Sequence, residues 1–224
     1  MPEFLLYLLL IAAFIFSIFT SVNVKSTFRK YNRMPSSRGV SAATIARQIL
    51  DSNGLYNVQV TRVSGELTDH YDPRTNTVAL SAPVYDSISV GAIGVAAHEV
   101  GHAIQYAKNY TPIKIRMAIL PVAQFGSSAW ILFFILGIVF NISLLRGVGI
   151  GLFAAIVLFQ LITLPVELNA SRRALATIKD QGILFAEEYK GAKKTLTAAA
   201  MTYVASLAVA LLQLLRLIAS SRRD

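Results

Sequence analysis

Residues 91–110 read GAIGVAAHEVGHAIQYAKNY, and five of them, His98-Glu99-Val100-Gly101-His102, form the pattern H-E-x-x-H. Residues four apart on a helix share a face, so His98 and His102 can aim two imidazoles at one metal ion. Glu99 lies one step round that helix, within reach of a water on the metal without being a strong ligand itself. Zinc lowers the pKa of such a water to roughly 7, and the carboxylate can then take its proton. The chain has three histidines and two of them are here. The surrounding residues Ala92, Ile93, Val95, Ala96, Ala97 and Ile104 are apolar, and a His-Glu-His trio buried among them is costly unless a ligand satisfies it.

The composition is that of a membrane protein. Of 224 residues, 54% are hydrophobic and 15% charged, with a mean hydropathy of +0.55; soluble chains carry about 25% charge. Uncharged apolar runs of about twenty residues, long enough to span a bilayer, explain the difference. Cysteine is absent, which excludes disulfides, thiolate metal sites and a cysteine nucleophile, so a metal must rest on His, Glu or Asp. The net charge of +9 does not point to nucleic acid, because Lys and Arg cluster beside the apolar runs as topology-setting flanks.

Phe4 to Val24 reads as a retained first membrane helix; its leader carries Glu3 rather than a basic residue, and the run is too long for a cleaved signal. Lys25, Arg29, Lys30, Arg33 and Arg38 follow, and by the positive-inside rule mark the cytoplasmic side. Two further spans form a hairpin, Gln124 or Phe125 to Leu145 and Val148 to Val166, with Arg146-Gly147 as its external turn. A fourth runs from Thr195 to Leu215, with Arg216, Arg222 and Arg223 beyond it. The two segments assigned to the cytoplasm hold eleven and six of the 21 basic residues. The chain thus divides into a first span (1–24), a cytoplasmic portion with the metal helix (25–120), a hairpin of spans (121–166), a cytoplasmic segment (167–194), and a fourth span with its tail (195–224).

Within 25–120, Ser41 to Leu50 has the cap and the spacing of a helix. Tyr56 to Val63 alternates as a half-buried strand does, Glu66 to Tyr71 returns, and Asp72 to Asn76 is turn chemistry before a third strand, Thr77 to Leu80. These predict a small antiparallel sheet beside the metal helix, which begins between Pro83 and Ser89 and fades near Lys108. Gly91, Gly94 and Gly101 cost that helix about 1 kcal/mol each relative to Ala; close approach of neighbouring backbone is one return for the cost, helix packing in a membrane another. The predicted fold is mainly α: multi-pass membrane helices with a small α+β, zincin-like cytoplasmic domain carrying the H-E-x-x-H helix.

A catalytic zinc takes three protein ligands and keeps one position open. Glu167, in LPVELNASRRAL, is the expected third, because the hairpin returns residue 167 to the side that carries His98 and places the zinc close to the membrane surface. His70 competes, and Glu187 and Glu188 are alternatives that read as a solvated helix face. His70 and Tyr71 are also candidates for stabilising an oxyanion near the zinc.

HEVGHAIQ after an apolar helix, the upstream LTDHYDPRTNTVALS, and LPVELNASRRAL after a hydrophobic hairpin together resemble the YugP-like membrane zinc metallopeptidases over nearly the whole chain. More distantly the sequence is similar to the HtpX-like and CAAX-prenyl membrane proteases. The resemblance implies one zinc per chain on His98, His102 and Glu167, with Glu99 as general base. The distant relatives carry Asp four residues after the glutamate, where this chain has Ser171, so support for a ligand histidine falls to Asn169 or Ser171. The implied function is a multi-pass cell-membrane zinc endopeptidase acting on peptide or membrane-protein substrates at the cytoplasmic face. Two rivals are an intramembrane site-2-type protease, since Ser87 to Ala107 is apolar enough to enter the bilayer, and a catalytically inactive scaffold. The later Asp-Gly motif of the first rival is absent.

Overall fold

A computed structural model describes residues 3–221 of the chain. It is mainly helical, with one three-stranded sheet. The elements in order are α1 (Glu3–Tyr31), α2 (Ala42–Ser52), β1 (Gln59–Val63), β2 (His70–Asp72), β3 (Thr77–Ser81), α3 (Ala82–Tyr85), α4 (Val90–Ala107), α5 (Thr111–Val139), α6 (Ser143–Asp180) and α7 (Ala186–Ser221). Four of them, α1, α5, α6 and α7, are long and apolar enough to cross a membrane. α1, α6 and α7 extend past the expected apolar runs at both ends, and α5 begins earlier, at Thr111, but stops at Val139, short of the expected Leu145. Residues such as Lys, Arg, Glu and Ala are good helix formers, so a charged flank does not end a helix. Arg222 and Arg223 lie outside the described residues.

The chain forms two compact units. The first comprises Met1–Thr20, Thr111–Pro165 and Met201–Asp224. Its small core gathers Phe153, Val157, Leu207, Ala210 and Leu217, while Phe14, Phe19, Phe125 and Ile135 are exposed, as side chains that face lipid are. The hairpin between α5 and α6 corrects the sequence reading. Its turn lies at Phe140–Ile142, where Asn141 takes a left-handed conformation (φ 53°) and the Ile142 amide donates to the Gly137 carbonyl at 2.9 Å. Asn tolerates that conformation and arginine continues a helix well. Arg146 accordingly sits in the first turn of α6, only 6% exposed, rather than at an external corner.

The second unit comprises Ser21–Tyr110 and Val166–Ala200. Ser41 caps α2, accepting from the Thr44 amide at 3.3 Å, and Ser89 caps α4 from the Ala92 amide at 3.2 Å, which satisfies amides that a helix start leaves orphaned. Pro83, one limit of the expected helix start, belongs instead to α3. The sheet is mixed, not antiparallel. Its order is β1-β3-β2, with β1 parallel to β3 (Gln59 opposite Thr77) and β2 antiparallel to β3 (His70 opposite Ala79). β3 carries the fully buried Val78 and Leu80 and so takes the middle, where both edges are covered; the more polar β1 and β2 flank it. The turn at Asp72–Asn76 is as the sequence indicates: Asp72 accepts from the Arg74 amide at 2.9 Å and Asn76 is left-handed (φ 53°).

α4 is the centre of this unit, with fourteen of its eighteen residues buried. It shares one core with α2, the sheet and parts of α6 and α7, through Ile45, Ile49, Leu80, Ile93, Ile178 and Leu196. Side chains of this size contribute roughly 1.5–3 kcal/mol each on full burial.

Candidate metal centre

The helical spacing of four brings the rings of His98 and His102 to 4.8 Å between centroids, nearly perpendicular at 83°. Opposite them α6 presents Glu167. Its Oε2 lies 3.2 Å from His98 Nε2 and 3.4 Å from His102 Nε2. Among the described residues these three form the one cluster able to hold a metal, all donor atoms lying within 4.8 Å of one another.

Gly101 permits the approach. A Cβ there would stand 2.7 Å from the carbonyl oxygen of Ala170 on α6 and 3.3 Å from its carbon. Any larger residue would hold the two helices apart and separate the histidines from the carboxylate. Gly91 meets the backbone of Tyr31 and Asn32 at 3.0 Å in the same way.

The second histidine is oriented by a relay whose root is an obligate donor. Arg173 Nε donates to Asn169 Oδ1 at 2.7 Å. Gln105 Nε2 donates to that same oxygen at 3.0 Å and to the Val166 carbonyl at 2.8 Å. With its nitrogen committed to two acceptors, the fully buried Gln105 must turn Oε1 toward His102 Nδ1, 3.0 Å away. An amide oxygen only accepts, so His102 carries its proton on Nδ1 and leaves Nε2 bare. Two atoms that can only accept, this Nε2 and the Glu167 carboxylate oxygen, then face each other in a buried place. A proton or a metal cation is needed between them. The titration of His102 reflects this: burial alone would lower it, but the Glu167 carboxylate, helped by Glu99 and Gln105, outweighs burial and raises it. On His98, Nδ1 is 3.1 Å from the Ser171 hydroxyl, a partner compatible with either tautomer.

Glu99 sits on the same turn of α4 and is 8% exposed. Burial pushes its carboxyl above the ordinary range; the carboxylates of Glu167 and Asp69 push the same way, and His98 and His102 oppose. Asp69 is itself fixed, accepting from the Ser81 amide at 2.7 Å and its hydroxyl at 2.8 Å.

The remaining candidates are not members of that cluster. His70 is exposed on β2, its Nδ1 2.8 Å from the Thr68 carbonyl. The Tyr71 hydroxyl donates to Asn76 Oδ1 at 3.0 Å and its ring packs edge-on against Tyr106, the centroids 6.2 Å apart; burial raises its pKa, with Tyr106 and Asp72 adding to it. Neither belongs to the three-residue cluster. Glu187 pairs with Lys190 at 2.6 Å, and Glu188 accepts from the amides of Ser37 at 2.6 Å and Phe185 at 3.2 Å. Sequence reading missed Gln105 and Arg173. The signal was present for the first, three residues after His102 and so on its face of the helix.

The chain matches the family described as "Putative neutral zinc metallopeptidase" over residues 6–222. It belongs to that family. A protein of Bacillus subtilis (strain 168) described as "Putative membrane protease YugP" is 49% identical over 210 residues, which cover 94% of this chain and 93% of the relative. No solved structure matches. Membership implies zinc, and the cluster fits it. Donors about 2.0–2.2 Å from a tetrahedral zinc lie roughly 3.3–3.6 Å apart, close to the 3.2 and 3.4 Å between Glu167 Oε2 and the two imidazole nitrogens. The donor set, two imidazoles and one carboxylate, is also a known catalytic zinc set.

Proposed function

We propose that the protein is a membrane-embedded zinc-dependent endopeptidase with its active site at the cytoplasmic membrane surface. The observation that carries this reading is the convergence of His98, His102 and Glu167 on one point with the buried Glu99 on the adjoining face of α4. In a family of zinc metallopeptidases, that arrangement supports one zinc per chain on the three donors. When bound, zinc supplies a water acidic enough to lose a proton near neutral pH and polarises the substrate carbonyl. The rest falls to the chain. Glu99 takes the proton of the attacking water and holds it on its carboxyl, a state favoured by burial. It then gives that proton to the departing amine as the peptide bond breaks. Gln105, Asn169 and Arg173 hold His102 in the tautomer that presents Nε2, and Ser171 orients His98.

His70 and Tyr71 enter the proposal as groups that stabilise the developing oxyanion; full turnover in both His70→Ala and Tyr71→Phe removes them from it. The cytoplasmic orientation is supported by the seventeen basic residues in segments 25–120 and 167–194. Peptides or membrane proteins are the proposed substrates.

Detergent-purified protein and its Glu99→Gln variant test the reading together. About one zinc per chain is expected in both. Peptide hydrolysis should fall at least a hundredfold in the variant, since a positioned general base contributes about 10²–10⁴-fold. Appreciable residual proteolysis defeats the role of Glu99. Failure to bind zinc after reconstitution at neutral pH defeats the metal site and leaves a scaffold.

A further inference from the structure

The span-bearing unit contains a cavity of about 260 Å³ that the peptidase reading does not use. Arg146, Arg216, Tyr7, Phe134, Ile138 and Ser220 help to line it, and no carboxylate does among the described residues. The connectivity fixes where along the helices it lies. α1 begins and α6 begins at this end, whereas α5 and α7 finish there. Arg146 stands three residues inside α6 and Arg216 five residues before the end of α7, so at 1.5 Å per residue both lie roughly 5–8 Å along the helix from its end. That is about the thickness of the headgroup layer of one leaflet.

Two guanidiniums therefore line one cavity whose other walls are apolar side chains together with Tyr7, Ser220 and Ser221. Arg146 is buried. Arg216 is steadied by the Tyr7 ring, its guanidinium carbon 5.5 Å from the ring centre. Each guanidinium carries five N–H donors in a planar fork, and that fork matches the oxygens of a phosphate. The walls from Phe134, Ile138 and Leu217 suit the glycerol and the first methylenes of an acyl chain. From this complementarity we infer that the cavity is a binding site for the phosphate headgroup of an anionic phospholipid, with Arg146 and Arg216 as its cationic walls.

The test uses the zinc-loaded full chain in uncharged detergent, following thermal unfolding through the single tryptophan, Trp130. Phosphatidylglycerol should raise the melting temperature; phosphatidylcholine with the same acyl chains and inorganic phosphate should not. Arg216→Gln should need about tenfold more phosphatidylglycerol for the same rise, the loss expected on removing a charge-assisted hydrogen bond, and Arg216→Lys should recover part of it. Arg146→Gln should act in the same direction; if it does not fold, the Arg216 pair carries the test. Arg38→Gln, which removes an exposed charge in the other unit, should respond as wild type does. Equal effects of the two lipids, an effect of phosphate alone, an unchanged Arg216→Gln, or an equal loss in Arg38→Gln would each overturn the site.

Discussion

Ile93 in α4 and Ile135 in α5 are the same side chain set in two different surroundings. The first is 1% exposed, enclosed by the core that joins α2, β3, α6 and α7. The second is 49% exposed, one of a file of large apolar side chains turned outward from its unit. Both helices read as apolar, but in the site-bearing unit that apolarity is consumed by protein and in the other it is offered to the surroundings. Apolar composition by itself therefore does not tell a lipid-facing helix from a protein-buried one. α4 is apolar because it is the core element on which the metal cluster is built.

Truncating both residues tests the two settings against each other. Ile93→Ala should cost about 2–5 kcal/mol through lost burial and a residual cavity, read as a large fall in thermal stability in detergent. A loss below 1 kcal/mol would mean that α4 is not enclosed. Gly101→Ala sharpens the point at the helix contact itself. Alanine would favour an isolated helix by about 1 kcal/mol, but its Cβ meets a backbone carbonyl that cannot yield cheaply, and overpacking costs typically 1–3 kcal/mol. The expected net result is a destabilised protein that binds zinc weakly or not at all. Retention of one tightly bound zinc would show that α4 and α6 need not approach so closely. Gln105→Leu keeps the volume and removes the amide, and zinc affinity should drop about 10–100-fold, as is usual when the partner of a ligand histidine is lost. Unchanged affinity by competition with a chelator would leave the relay without a role. Smallest of all, Ile135→Ala should change stability by no more than about 0.5 kcal/mol, with zinc content unaltered.

Much of this was legible in the chain. Ser41 announces a cap and Asn53-Gly54 the end of the same helix, because both depend on neighbours within four residues. Glu167 was legible because a hairpin of spans returns the chain to the side it left, and the structure brings that residue to His98 and His102. What was not legible depends on partners distant in sequence. The burial of Val78 and Leu80 places β3 between the other two strands, and β1 then pairs with it in parallel across eighteen residues of chain, Gln59 opposite Thr77. Arg146 reads as an interfacial turn only if a charge is taken to mark a helix end; the left-handed Asn141 marks it instead. Gln105 reveals its part only when α6 brings Val166 and Asn169 against it.

The contact between Gly101 and Ala170 also bears on how such a site can be moved or recognised. In H-E-x-x-H the two middle letters are conventionally unrestricted, yet here the second is occupied by the one residue without a side chain because another helix rests on it. For this architecture the informative pattern is H-E-x-G-H paired with a small residue three positions after the later glutamate. Transplanting only the histidines and the glutamates into another helical scaffold would carry the ligands without the clearance that lets them meet.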